Sequence, residues 1–188
     1  MFFSKLSLAA ATTLALTASA LPAPSTSTSS AAASSSSASA SGSSSGGGSV
    51  SIVNNLDSTV YLWSTATDTG SSDMHSLASG GGSFSESYQT TSEGGVSIKL
   101  STSQDESSVL QFEYKTDGSE LYWDLSSINL DKDSAFVKAG FTATPSDSSC
   151  TTVSCSAGDA DCSAAYQKPD DVATKSCSTS AGITLILG

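Results

Sequence analysis

From residue 50 onward, apolar side chains recur at every second position. Val96, Ile98 and Leu100 alternate with Ser97, Lys99 and Ser101, and Leu110, Phe112 and Tyr114 alternate with Gln111, Glu113 and Lys115. Ile183, Leu185 and Leu187 repeat the pattern with Thr184 and Ile186 between them. A period of two gives an extended strand one apolar and one polar face, so each stretch reads as a half-buried β-strand. Val50 to Val53 and Thr59 to Trp63 add two more, joined through the turn formers Asn54, Asn55 and Asp57. Ser83 to Tyr88 and Leu121 to Leu125 fit less regularly. Gly80-Gly81-Gly82, Gly94-Gly95 and Asp117-Gly118 fall between strands, where hairpins need positive φ. No window offers a long amphipathic helix. The expected fold is all-β, an antiparallel sandwich.

The segment before residue 50 cannot join that core. Residues 1–20 read as a secretory signal: Lys5, the apolar run Leu6 to Leu16, then Ala18-Ser19-Ala20 as a cleavage pattern ahead of Leu21. The run is too short to span a bilayer, so no membrane insertion is expected. Residues 21–49 are almost wholly Pro, Ser, Thr, Ala and Gly, with neither an aromatic nor a charged side chain. Such a tract buries too little apolar area to offset the entropy of ordering it, and is expected to be a disordered, O-glycosylated linker. Residues 50–188 then form the folded domain. Gly182 to Gly188 lacks the hydrophobic tail of a lipid-anchor signal, so a released or non-covalently held extracellular monomer is expected.

Charge narrows the functions open to this domain. The chain has 18 acidic side chains against 7 basic ones, all Lys, for a net charge of −11. Phosphate neutralisation needs a basic patch, so nucleic acid is excluded as a partner. One His and no Arg leave little acid–base chemistry near neutral pH. Gly42-Ser43-Ser44-Ser45-Gly46 matches the G-x-S-x-G pattern, but it lies in the Ser tract and not on a strand-to-helix turn. A Ser-His-Asp triad would have to use His75, which is better placed at a strand end beside the Gly-rich turn.

Cys150, Cys155, Cys162 and Cys177 are not spaced as a zinc site, and an exported chain meets an oxidising environment. Two disulfides are expected. Three connectivities are open; the nested one, Cys150–Cys177 outside Cys155–Cys162, would staple the loop-rich stretch from Pro145 to Lys175. Asp131-x-Asp133 and Asp159-x-Asp161 lack the Gly and distant Glu of a calcium loop, so no metal and no cofactor are expected.

An ordered set of blocks carries a family resemblance. Val53-Asn54-Asn55 precedes Val60-Tyr61-Leu62-Trp63-Ser64, and His75-Ser76-Leu77 precedes Gly81-Gly82-Ser83-Phe84-Ser85-Glu86. Next come Gly95 to Leu100, Phe112-Glu113-Tyr114, Leu121-Tyr122-Trp123-Asp124-Leu125-Ser126, Pro145 to Cys150 and Thr184 to Leu187. Together they resemble the small fungal secreted thaumatin-like proteins named after the Blastomyces yeast-phase-specific protein. The resemblance covers nearly all of residues 50–188 and implies a thaumatin-like sandwich with a disulfide-stapled loop region. It also implies ligands such as cell-wall β-glucan or host surface proteins.

Two departures matter. The family usually has a Cys just after the Asn-Asn pair and another at the very end, which pair with each other; here those places hold Leu56 and Gly188. The larger thaumatin-like proteins also have an acidic cleft built on one Arg and several carboxylates, which a chain without Arg cannot reproduce as such.

The leading expectation is therefore a secreted, wall- or surface-associated binding protein without catalytic activity, recognising cell-wall polysaccharide or a host surface protein. Its rival is a weak β-1,3-glucan hydrolase using paired carboxylates, with Glu86, Glu113 and Asp124 as candidates because they sit on or beside strands. Those acids are otherwise expected to be outward, solubilising charges. A third reading is an effector-like module that binds another protein. Tyr61 and Trp123 are the candidate ligand-stacking aromatics, and Trp63 is expected in the core.

Overall fold

The computed structural model describes residues 48–70 and 73–188. The secretory signal, residues 21–47 of the Ser-rich tract and the G-x-S-x-G match lie outside the described residues. Two sheets form the described domain. One has five strands in the order β4-β1-β11-β8-β9; the other has six, in the order β10-β7-β6-β5-β2-β3.

The regular strands arise where alternation is strongest. They are β1 (Ser49–Asn54), β2 (Val60–Ala66), β5 (Val96–Ser101), β6 (Leu110–Asp117), β7 (Glu120–Ser126) and β11 (Ile183–Leu187). In each, one set of alternate side chains is buried and the other half-exposed. β3 (His75–Leu77), β4 (Gly82–Ser87), β8 (Phe141–Pro145), β9 (Val153–Cys155) and β10 (Lys175–Ser178) complete the sheets. Val50, Ile52, Leu185 and Phe141 of one sheet face Leu62, Ile98, Phe112 and Leu125 of the other across a single apolar core.

One pairing departs from the antiparallel expectation. β1 runs parallel to β11, with Val50 opposite Ile183 and Ile52 opposite Leu185. Antiparallel neighbours follow from hairpins, whereas β1 and β11 are separated by most of the chain and carry no such constraint. A short helix, α1 (Ala135–Ala139), also goes beyond the strand pattern; the Ser134 hydroxyl caps it by accepting from the Val137 N–H at 3.2 Å.

The stretch after β8 is held covalently. Cys150 is bonded to Cys177, which ties the loop to β10, and Cys155 to Cys162 within it. Leu56 and Gly188, where the resembling family has a third bridge, are in contact: a Cβ added at Gly188 would come 3.1 Å from Leu56 Cδ2. The Asn55 N–H donates to the Leu187 carbonyl at 2.9 Å, so backbone and apolar contact join the two places where a bridge is missing.

Candidate functional site

The β6–β7 hairpin sets the chemistry of the six-stranded sheet. Its turn is the two residues Gly118 and Ser119, between the facing pair Asp117 and Glu120. Gly118 has a φ of 60°, the left-handed conformation that such short turns require. Counting back from that turn places Glu113 directly opposite Asp124. Both point away from the core, because Phe112, Tyr114, Trp123 and Leu125 take the inward positions.

The row continues across the sheet, with Ser97 opposite Glu113 and Thr65 opposite Ser97. Facing residues of this kind have Cβ atoms about 4.5–5.5 Å apart. A concave cleft of about 570 Å³ opens over the row, with Lys99 to one side, Lys115 and Tyr122 to the other, and Thr174 at its end. Tyr122 is 41% exposed and its hydroxyl donates to Glu120 at 3.0 Å.

The acid pair is electrostatically unusual. Burial, and then the neighbouring Glu113 charge, push the Asp124 carboxyl up to about 7, against the pull of Lys175. Burial also raises Glu113, opposed by the Ser97 hydroxyl and the Lys99 ammonium. Asp124 Oδ1 is buried and has no hydrogen-bond partner in the domain. Among the described residues, no group of three or more His, Cys, Asp or Glu side chains could hold a metal ion.

The third candidate acid, Glu86, lies elsewhere. It sits on β4 opposite Val50, with its side chain between the sheets, where Oε1 accepts from Ser64 Oγ at 3.0 Å and from the Tyr114 hydroxyl at 2.9 Å. It joins the two sheets and is on the opposite side of the six-stranded sheet from Glu113 and Asp124.

Two aromatic expectations are corrected. Trp123 is 1% exposed and stacks on Phe112 at 5.7 Å in the core, so it cannot meet a ligand; its neighbour Tyr122 holds the outward place. Adjacent strand residues point to opposite faces, and an aromatic pair leaves the choice open until the register is known. Trp63, expected in the core, is half-buried on the outer face opposite Lys99. Tyr61 shares that face, facing Ser101, and its hydroxyl accepts from Gln104 Nε2 at 3.3 Å. His75 packs its ring against Phe84 at 5.0 Å on the edge strand β3. Ser97, Lys99, Tyr122 and Thr174 were not singled out from the sequence, since only cross-strand register brings them to the acids.

Comparison with known proteins gives consistent matches. The family described as Blastomyces yeast-phase-specific protein matches residues 37–188. A secreted thaumatin-like protein, calA of Emericella nidulans, is 46% identical over 140 residues, covering 74% of this chain and 80% of that protein. An antigenic thaumatin-like protein of Arthroderma benhamiae is 36% identical over 141 residues, covering 74% of this chain and 70% of that protein. Among solved structures, the protein elicitor MoHrip2 from Magnaporthe oryzae superposes with a TM-score of 0.63 at 24% identity, over 74% of this chain and 98% of that one.

Proposed function

This chain belongs to the Blastomyces yeast-phase-specific protein family of secreted thaumatin-like proteins, and from that premise we propose that its cleft binds an uncharged, hydroxyl-rich polysaccharide chain. The protein is extracellular, and its relatives, named secreted and antigenic thaumatin-like proteins, support a non-catalytic role. The observation that carries the reading is the outward row of side-chain oxygens, Asp124, Glu113, Ser97 and Thr65, that lines one cleft. Sugar hydroxyls donate to such oxygens, Thr65 and Ser97 both donate and accept, and the exposed Tyr122 ring offers an apolar face to a sugar ring.

The same geometry disfavours hydrolysis. Glycosidases place their two carboxyl groups on either side of the scissile bond. Glu113 and Asp124 project side by side from one sheet face, so a chain lying in the cleft meets both from the same side.

Titration of the protein with soluble β-1,3-glucan oligosaccharides tests this, following heat of binding and release of reducing ends. Binding that weakens about tenfold or more in Asp124→Asn and Tyr122→Ala, with no new reducing ends, is the expected result. Sugar release that disappears in Glu113→Gln would overturn the non-catalytic reading. Absence of binding to any oligosaccharide would retire the polysaccharide and direct the search to a protein surface.

A further inference from the structure

Four strands end the two sheets: β4 and β9 in one, β10 and β3 in the other. An edge strand offers unpaired N–H and C=O groups to any other extended chain, and folded proteins guard such edges with short strands, Lys, Pro or covering loops. β3 and β9 have 3 residues each, and β10 has 4, beginning with Lys175. β9 and β10 are also tied into the disulfide-bonded loop region through Cys155 and Cys177. β4 has 6 residues, Gly82 to Ser87, with neither Lys nor Pro. From Leu77 to Ser92, its Glu86 is the only charged side chain.

The free groups of β4 can be assigned. The Asn55 N–H donates to the Leu187 carbonyl of β11, so odd-numbered residues of β1 bond toward β11 and even-numbered ones toward β4. The Tyr88 N–H donates to the Gly48 carbonyl, as that parity requires. Phe84 and Glu86, opposite Ile52 and Val50, therefore use their backbone groups on β1, and Ser83, Ser85 and Ser87 direct theirs away from the sheet. Among the described residues, no backbone partner meets these three from the far side, and their side chains are exposed. An inward charge can also guard an edge, because a neighbour would bury it. Glu86 is already met by Ser64, Tyr114 and Gln89, so a neighbour leaves it no less satisfied.

We propose that β4 pairs antiparallel with β4 of a second copy of this chain, about a two-fold axis at Ser85, joining two five-stranded sheets edge to edge. Free N–H and C=O groups repeating along an extended backbone are matched by another extended backbone, and the same chain supplies one with the same spacing. Ser85 then faces Ser85, and Ser83 faces Ser87 of the second copy, each pair exchanging both its N–H···O=C bonds. Short hydroxyl side chains leave the two backbones room to approach, and none of the three positions carries a charge. Phe84, half-buried, lies across from Glu86 of the second copy and gains cover. The net charge of −11 opposes the approach of two whole copies while the seam itself has none, so salt should strengthen the pairing. A basic partner protein would instead be held by that charge and released by salt. A seam of one strand from each copy falls below the area of standard stable interfaces, so the dimer is weak, with a dissociation constant on the order of 0.1 mM. The cleft lies on the other sheet and has no part in the seam.

Sedimentation equilibrium of the secreted protein from about 10 μM to about 1 mM tests this, at about 0.01 M and about 0.15 M sodium chloride, where the Debye length is about 30 and about 8 Å. The expected result is a monomer–dimer equilibrium whose association constant rises severalfold with salt. Amide exchange at Ser83, Ser85 and Ser87 should slow as concentration rises. Ser85→Pro removes an outward N–H without touching the ladder to β1, and Ser85→Lys sets like charges face to face. Each should weaken dimerisation about tenfold or more. Thr144→Lys makes the same charge change away from the edge and should keep it. Should Ser85→Pro fail to give a cooperative thermal transition, Ser85→Lys and the amide-exchange pattern still decide. A monomer at about 1 mM, a dimer that salt dissolves, or a dimer that the folded Ser85 variants keep would each overturn the proposal.

Discussion

Glu113 stands directly opposite Asp124 on neighbouring strands, and the two-residue turn Gly118-Ser119 is what puts it there. Each step back along β6 is matched by one step forward along β7, so facing pairs are fixed from the turn outward. A one-residue slip of that pairing would move Glu113 out of register and send one of the two carboxyls to the core face, whereas a longer turn would have to absorb its extra residue in the loop. The acid pair is thus a product of hairpin geometry as much as of the two side chains.

Stability should fall as pH rises, because the folded domain holds a proton on Asp124 that the unfolded chain gives up near the ordinary value of 3.8. The folded carboxyl titrates at about 7, so the contribution is full below about 3.8 and is lost as pH rises through about 7. Melting temperature measured from about pH 5 to about pH 8 should drop for the parent and stay flatter for Asp124→Asn. Identical slopes for the two would contradict the assignment.

Asn54 is wholly buried, and its Nδ2 donates to the carbonyls of Ser58, Leu77 and Ala78 at 2.9, 3.1 and 3.0 Å. Its Oδ1 accepts from the Leu56 N–H at 3.1 Å. Asn54→Ala strands these groups without water and should cost about 3 kcal/mol or more, read as a shift of the urea midpoint.

The two disulfides should differ in worth. Cys150 and Cys177 are separated by 27 residues and Cys155 and Cys162 by 7. Chain entropy then assigns about 3.5 kcal/mol to the first and about 2.5 kcal/mol to the second. Paired Cys→Ala variants of each bridge, compared by chemical denaturation, check the order.

Leu56→Cys with Gly188→Cys should form a third bridge, because the Leu56 side chain already reaches position 188, although a Cys there must leave the φ of 88° that Gly188 holds. It would close most of the domain into one loop, which chain entropy values at about 5 kcal/mol before the loss of the buried Leu56 side chain is subtracted. A faster-migrating band without reductant, and a rise in melting temperature that reductant reverses, are the expected signs. Two free thiols in the purified variant would refute it.

Alternation alone disclosed the main strands and their inward residues, since burial on one face is a local property of a strand. The cleft is a property of register, which depends on turn conformation and on strands far apart in sequence. Asp117-Gly118 was recognisable as a turn, yet whether it spanned two residues or more decided whether Glu113 met Asp124. Tyr122 and Trp123 could not be told apart for the same reason. Asn54 read as a turn former, and nothing local shows that its amide reaches carbonyls as distant as those of Leu77 and Ala78. Glu86 looked like its fellow acids until Ser64 and Tyr114 were seen to meet it from the other sheet.

The parallel seam between β1 and β11 has a kinetic meaning. β11 lies in the middle of its sheet, between β1 and β8, so the β4–β1 and β8–β9 pairs stay two separate ribbons until Ile183–Leu187 has been synthesised. Five strands of the six-stranded sheet, β2, β3, β5, β6 and β7, are all made by Ser126 and can pair earlier, with β10 joining the edge late. The five-stranded one must wait, leaving β1 and β4 as an open ribbon with its apolar side uncovered for most of translation. Such a late, long-range closure slows folding, and it makes the emerging chain dependent on whatever shields that ribbon along the export route.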